Sequence, residues 1–179
     1  MGRWNKETIY WDSCIFLAWI TGEQRPNDEM NGVFDCVEKV DNNVINLVTY
    51  KDTTEMEVLQ ANMSDDDKRV FDRLFARRNV IFLGYHPRIQ AIAKEIREYG
   101  EEDKKRVKGL KSIGQSDAYH LAAAIHNQVD AFYTFDDGKR SKMRSLLSLD
   151  GNVAGYKLLI CKPPFTEARL FLMKENPVE

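Results

Sequence analysis

Four carboxylates of this 179-residue chain follow predicted strands or lie in the first turns of predicted helices: Asp12, Glu57, Asp117 and Asp136. Carboxylates that meet within a few ångströms repel one another and raise one another's pKa values, and a divalent cation offsets that repulsion. Ligand sets made only of oxygen favour Mg²⁺ or Mn²⁺ over zinc or copper. Such an ion polarises a phosphoryl oxygen and lowers the pKa of a bound water, so the set predicts phosphodiester chemistry.

Each of these acids also has a structural explanation. Asp12 could cap the helix that follows it, and Thr54 with Glu57 fits a capping box. Asp117 lies in a first helical turn, where the helix dipole favours an acid, and Asp136 suits a turn. The prediction of a metal site therefore depends on the shared position of the four acids.

That shared position comes from the alternation of short and long apolar patterns. Short runs rich in β-branched and aromatic residues predict strands at 8–11, 44–50, 80–83, 131–134 and 156–161. Amphipathic segments predict helices at 13–20, 27–40, 54–62, 64–78, 87–99 and 115–127. Alternating strands and helices imply right-handed crossovers and a mostly parallel sheet of about five strands, covered on both faces. In such a sheet the carboxyl ends of the strands share one edge, and ligands bind there.

Composition limits the class of protein. The hydrophobic share of 43% is enough for a core, and the length fits a single domain over 1–179 with frayed last residues. The net charge of −2 excludes a globally basic surface, so nucleic acid would have to bind a local patch. With no signal-peptide core and no run of ~20 apolar residues, we expect a cytoplasmic protein that does not cross a membrane.

Soft metal ligands are not clustered in the sequence. The cysteines Cys14, Cys36 and Cys161 lie far apart, which favours free thiols over a disulfide framework or a zinc site. His120 and His126 are six residues apart on one predicted helix and point to different faces, so we do not expect them to form a zinc pair.

Candidate substrate contacts surround the predicted acids. Lys139 and Arg140 follow Asp136 and could bind the phosphates of a substrate, although a solvated helix face is an equal alternative. Thr134 and Ser116 are candidates to hydrogen-bond the waters of a metal ion or a phosphate oxygen.

Four segments together resemble the PIN domain of the VapC-like toxin ribonucleases: IYWDSCIFL, TTEMEVLQ, QSDAYHLAAA and YTFDDGKR. The resemblance runs from about Thr8 to Cys161, and its specificity lies in the order and spacing of the motifs. The acids of the family pattern fall on Asp12, on Glu57 with Thr54, on Asp117 with Ser116, and on Asp136 with Thr134.

The resemblance implies a three-layer α/β/α fold and Mg²⁺- or Mn²⁺-dependent hydrolysis of single-stranded RNA that leaves a 3′-hydroxyl and a 5′-phosphate. It also implies two candidate partners, an antitoxin protein and a second copy of the chain. The chain is longer than is usual for the family, and we assign the extra length to 25–43 and 100–115. Glu55 competes with Glu57 as the second acid, and Asp137 competes with Asp136.

Two other functions remain open from the sequence. One is a PIN-like module that binds RNA or a protein partner without catalysis, which the complete acid set disfavours. The other is a DNA-directed nuclease of related fold.

Overall fold

A five-stranded parallel sheet forms the centre of the protein. The computed structural model describes residues 5–61, 64–139 and 143–165. The strands are β1 (Thr8–Trp11), β2 (Asn46–Tyr50), β3 (Val80–Leu83), β4 (Ala131–Tyr133) and β5 (Ile160–Cys161). Every neighbouring pair runs parallel, in the order β3-β2-β1-β4-β5. The predicted strands are confirmed, although the second and fifth are shorter than expected.

Helices cover both faces of the sheet. They are α1 (Ser13–Ile20), α2 (Glu29–Asp41), α3 (Lys51–Gln60), α4 (Asp65–Phe75), α5 (Pro87–Arg106) and α6 (Gln115–His126). The segment 25–43 forms a short 3-10 turn at Pro26–Asp28 followed by α2, and α5 extends into the segment 100–115. None of the helices among the described residues is long and apolar enough to cross a membrane.

Alternation along β1 explains why the sheet has two cores. Ile9 and Trp11 are buried on one face, against α1, α2 and α4. Tyr10, between them, is buried on the other face, against α5 and α6. Successive side chains of a strand point to opposite faces, so a strand that is apolar throughout must be covered on both sides.

The strand order creates a crevice beside β1. From the central β1 the chain builds outward through β2 and β3, and it then returns to place β4 on the opposite side of β1. The connections that leave β1 and β4 therefore separate at their carboxyl ends, which is the usual ligand position in such sheets. Asp12 lies at this point, and its backbone N–H donates to the carbonyl of Tyr133 over 3.1 Å.

The predicted capping box at Thr54 is wrong. Helix α3 begins at Lys51 with Tyr50 as its N-cap, so Thr54 lies inside the helix. Its hydroxyl is hydrogen-bonded to the hydroxyl of Thr49 over 2.6 Å. Glu57 consequently lies in the second turn, and helix capping does not account for its carboxylate.

Candidate metal centre

Asp12 combines a capping role with a position at the crevice. One carboxylate oxygen, Oδ1, accepts from the backbone N–H of Ser13 over 2.7 Å and caps α1, as predicted. The other, Oδ2, accepts from the hydroxyl of Thr134 over 2.7 Å and from the thiol of Cys14 over 3.1 Å. Three donors hold the ionised carboxylate in one orientation.

Glu57 extends from α3 towards α6 and α1. Its Oε2 lies 3.3 Å from Nε2 of His120. Burial acts to raise the pKa of Glu57, but the hydrogen bond and charge of His120 and the hydroxyls of Ser13 and Ser116 lower the pKa below its ordinary value. Glu57 is therefore held as a carboxylate at neutral pH.

Asp117, in the first turn of α6, experiences the negative charge of the whole cluster. Burial and the nearby charge of Asp12 raise the pKa of Asp117 to about 6, and Asp136 and Glu57 add to this rise while His120 opposes it. Mutual repulsion between converging carboxylates is the electrostatic condition that a bound cation relieves.

Asp136 follows β4 and makes the turn contacts that its sequence predicted. Its carboxylate oxygens accept from the backbone N–H groups of Gly138 and Leu146, each over 3.0 Å. Its own N–H donates to the hydroxyl of Thr134 over 3.0 Å. Asp136 therefore lies at the rim of the cluster, where its charge contributes to the raised pKa of Asp117.

The two acids that compete with Glu57 and Asp136 are each close to a lysine. Glu55 is on α3 at 4.0 Å from Lys51 in an i,i+4 pair. The carboxylate of Asp137 is 2.8 Å from the ammonium group of Lys139 and also accepts from the backbone N–H of that residue. Glu57 and Asp136 are both among the causes of the raised pKa of Asp117.

His120 is a member of the cluster that sequence reasoning missed. It is fully buried, with Nδ1 2.7 Å from the hydroxyl of Tyr10 and Nε2 3.1 Å from the hydroxyl of Ser13. Its position three residues after Asp117 on one helix was the available signal, because such residues share a face. The predicted lack of pairing with His126 is observed, since His126 stacks on His86 with ring centroids 4.4 Å apart.

The protonation of His120 reflects two opposing influences. Burial lowers the pKa of His120, but the hydrogen bond that His120 makes to Glu57 and the charges of Asp12, Glu57 and Asp117 outweigh burial, so the pKa is raised overall. The imidazole thus offsets part of the negative charge around it.

The donor atoms present suit a divalent cation. Ligand atoms of Asp12, Glu57 and His120 all lie within 4.8 Å of one another. Asp117 adds a carboxylate that the other acids destabilise as an anion. Such an acid-rich set fits a hard cation better than a soft one.

The predicted substrate contacts lie in different surroundings. Thr134 is fully buried, and its hydroxyl donates to Asp12 and accepts from the N–H of Asp136, so it orients both acids. Ser116 faces Glu57 closely enough to lower the pKa of that carboxyl. Lys139 is exposed beside the cluster, and Arg140 lies outside the described residues.

Two grooves lie near the elements that carry the acids. One, of about 690 Å³, is lined by Asp136, Lys139, Arg25 and Phe135 among others, and the Arg25 guanidinium lies 3.9 Å above the Phe135 ring centroid. The other, of about 780 Å³, runs along α5 and includes Gln115 and Tyr119 of α6. The first groove reaches the rim of the cluster at Asp136.

A parallel sheet with helices on both faces, and acids at its switch point, is the arrangement of a PIN-like α/β/α fold, as predicted. A solved chain of this fold occurs in the crystal structure of VapBC2 from Rickettsia felis bound to a DNA fragment from their promoter. The two chains superpose with a TM-score of 0.53 and 14% sequence identity, over 76% of this chain and 96% of that chain. No family model and no curated protein matches the sequence. At this identity the likeness establishes the fold alone.

Proposed function

We propose that the protein is a divalent-metal-dependent endoribonuclease that cleaves single-stranded RNA with an activated water. The observation that carries the proposal is the convergence of Asp12, Glu57 and Asp117 at the switch point, where burial and the charges of Asp12 and Glu57 help to raise the pKa of Asp117 to about 6. Acids arranged in this way disfavour their own ionisation unless a cation accompanies them.

The chain's residues divide into ligands and supports. Asp12, Glu57 and Asp117 would hold a Mg²⁺ or Mn²⁺ ion, with Asp136 at the rim and Thr134 orienting Asp12. A cation bound there supplies polarisation of a phosphoryl oxygen and a lower pKa for the attacking water.

RNA as the substrate rests on the resemblance and on the surroundings of the acids. Lys139 lies in the groove beside Asp136, and Arg140 follows it in sequence. Local cations of this kind bind phosphates even on a chain whose net charge is −2. We also propose Ser116, which lies next to Glu57, as a contact for a water molecule or a phosphate oxygen.

The proposed biological role also rests on the family resemblance and on the structural similarity. One structural neighbour is a chain from a VapBC2 structure, and we propose that this chain acts in the cytoplasm as the toxin of a toxin-antitoxin pair. An antitoxin protein and a second copy of the chain are the proposed partners.

Cleavage of labelled single-stranded RNA tests the activity. Purified protein should cut RNA with Mn²⁺ or Mg²⁺, chelation should stop the reaction, and Asp117→Asn should reduce the rate by roughly 100-fold or more because it removes an electrostatic stabiliser of the site. Asp137→Asn is the matched control, since Asp137 is exposed and paired with Lys139, and its rate should stay near that of the wild type. Undiminished cleavage by the Asp117 variant would contradict the assignment.

Substrate comparison separates this function from its alternatives. Preference for single-stranded RNA over flap DNA, with 3′-hydroxyl and 5′-phosphate ends, supports the ribonuclease. Preference for flap DNA would indicate a DNA-directed nuclease. RNA binding without cleavage by any metal-loaded form would indicate a binding module.

A further inference from the structure

His120 and Tyr10 form a buried pair next to the proposed ligands. Both side chains are fully buried, and the Tyr10 hydroxyl lies 2.7 Å from Nδ1 of His120. The same hydroxyl accepts from the backbone N–H of Tyr50 over 2.9 Å. Tyr50 is the N-cap of α3, the helix that carries Glu57.

The contacts of this pair are consistent with one assignment of its protons. Because the Tyr10 oxygen accepts from Tyr50, its own proton is available to Nδ1 of His120. A neutral imidazole that accepts at Nδ1 carries its proton on Nε2. At that end, Nε2 faces Ser13 at 3.1 Å and the carboxylate of Glu57 at 3.3 Å, and a carboxylate can only accept.

Both ring nitrogens of His120 therefore have partners within the protein: Nδ1 meets the Tyr10 hydroxyl, and Nε2 meets Ser13 and Glu57. The closeness of His120 to Asp12 and Glu57 resembles a three-ligand set in distance. A ligating histidine directs one nitrogen at the ion, so coordination through Nε2 would break its contact with Glu57.

We propose that His120 is a positioning residue for Glu57 and not a metal ligand. Tyr10 contacts α3 at its N-cap residue, Tyr50, and through His120 it contacts the same helix at Glu57 in the second turn. The buried pair of Tyr10 from β1 and His120 from α6 thus sets the position of α3 and the orientation of the Glu57 carboxylate. The inference rests on the proposed function only in treating Glu57 as a ligand.

Nitrogen spectroscopy tests the proton assignment without any activity assay. The chain has three histidines, so ¹⁵N-histidine labelling gives few signals, and His120→Gln identifies those of His120. At alkaline pH in metal-free protein we expect a protonated Nε2 and an unprotonated Nδ1. A protonated Nδ1 with an unprotonated Nε2 would overturn the proposal.

Electron spin echo spectroscopy of the Mn²⁺-loaded protein tests ligation directly. We expect no modulation from a directly bonded ¹⁴N nucleus, and a histidine nitrogen coupling that vanishes in His120→Gln would overturn the proposal. Both spectroscopic results stand whether or not RNA proves to be the substrate, so they distinguish failure of this inference from failure of the proposed function.

Variants test the positioning role. Tyr10→Phe and His120→Leu should each lower kcat by about 10- to 100-fold, as is usual for partners that orient a ligand, while KM for RNA and Mn²⁺ stoichiometry stay unchanged. His120→Gln, which can keep a donor near Glu57, should recover part of kcat. Tyr133→Phe is the control, since Tyr133 is buried in the opposite core. Loss of the bound Mn²⁺ in His120→Leu, or an unchanged kcat in both Tyr10→Phe and His120→Leu, would overturn the proposal.

Discussion

At the scale of single residues, a structural role and a chemical role coincide in one side chain. Asp12 caps α1 with one oxygen and, with the other, accepts from Thr134 and Cys14. The capping interaction directs the carboxylate to the edge where the strands end. The structural explanations for Asp12 and Asp136 are thus observed, and they orient the acids without excluding them from the cluster.

Asp117 is the residue whose protonation should limit cation binding. Because burial and the charge of Asp12 raise its pKa to about 6, a proton competes with the cation below that pH. We expect Mn²⁺ affinity measured by calorimetry to fall about tenfold between pH 8 and pH 5. Asp117→Asn should bind more weakly at pH 8 and show a smaller pH dependence. An affinity that is constant from pH 8 to pH 5 in the wild type would contradict this expectation.

At the scale of elements, the site depends on how the ends of β1 and β4 are joined. The hydroxyl of Thr134 donates to Asp12 after β1 and accepts from the N–H of Asp136 after β4. This buried hydroxyl connects the two loops that separate at the switch point. The relative position of two ligand segments therefore depends on one side chain.

Replacing that hydroxyl should weaken both stability and activity. Thr134→Val keeps the shape but leaves the N–H of Asp136 without its acceptor and the Asp12 carboxylate without one of its three donors, which costs about 1–3 kcal/mol in the free energy of unfolding. Urea denaturation measures this loss, and the RNA-cleavage rate should fall with it. Thr134→Ser, which retains the hydroxyl, should stay close to the wild type. Equal stability of the Val and Ser variants would show that the hydroxyl does not join the loops.

For the whole molecule, folding has an electrostatic cost at the site because it brings several carboxylates close together. Folding brings Asp117 near Asp12, Asp136 and Glu57 and raises its pKa above the ordinary value of 3.8 to about 6. The folded state then binds more protons than the unfolded state between these values, so stability falls as pH rises from about 4 to about 6. Above about pH 6 the loss of stability is complete and no longer changes with pH.

Removing this charge should stabilise the metal-free protein. At pH 7.5 we expect Asp117→Asn to raise the free energy of unfolding by about 1–2 kcal/mol, less than the full pKa shift implies because Asp117 is only partly buried. Below pH 4 the difference should disappear. Saturating Mn²⁺ should stabilise the wild type by more than it stabilises the variant. A metal-free variant less stable than the wild type at pH 7.5 would contradict the electrostatic account.

Local sequence patterns were sufficient to predict most of the strands and helices, and the edge of the sheet at which the acids meet. The run TIYW and the segment that follows it predicted β1 and α1 with the observed ends, because a buried strand and a helix with a capping Asp are both local signals. The misplaced start of α3 had a local cause as well. Thr54 looked like a cap, whereas in the fold its hydroxyl is paired with Thr49.

By itself, the sequence determined the strands, the helices and a parallel sheet that brings Asp12, Glu57 and Asp117 to one edge, since these follow from apolar periodicity and crossover handedness. Only the tertiary structure decided the strand order with its switch point at β1 and β4. It also decided that Glu57 lies against His120, and that His120 is buried against Tyr10. These features depend on contacts between residues distant in the chain, and no local pattern encodes such contacts.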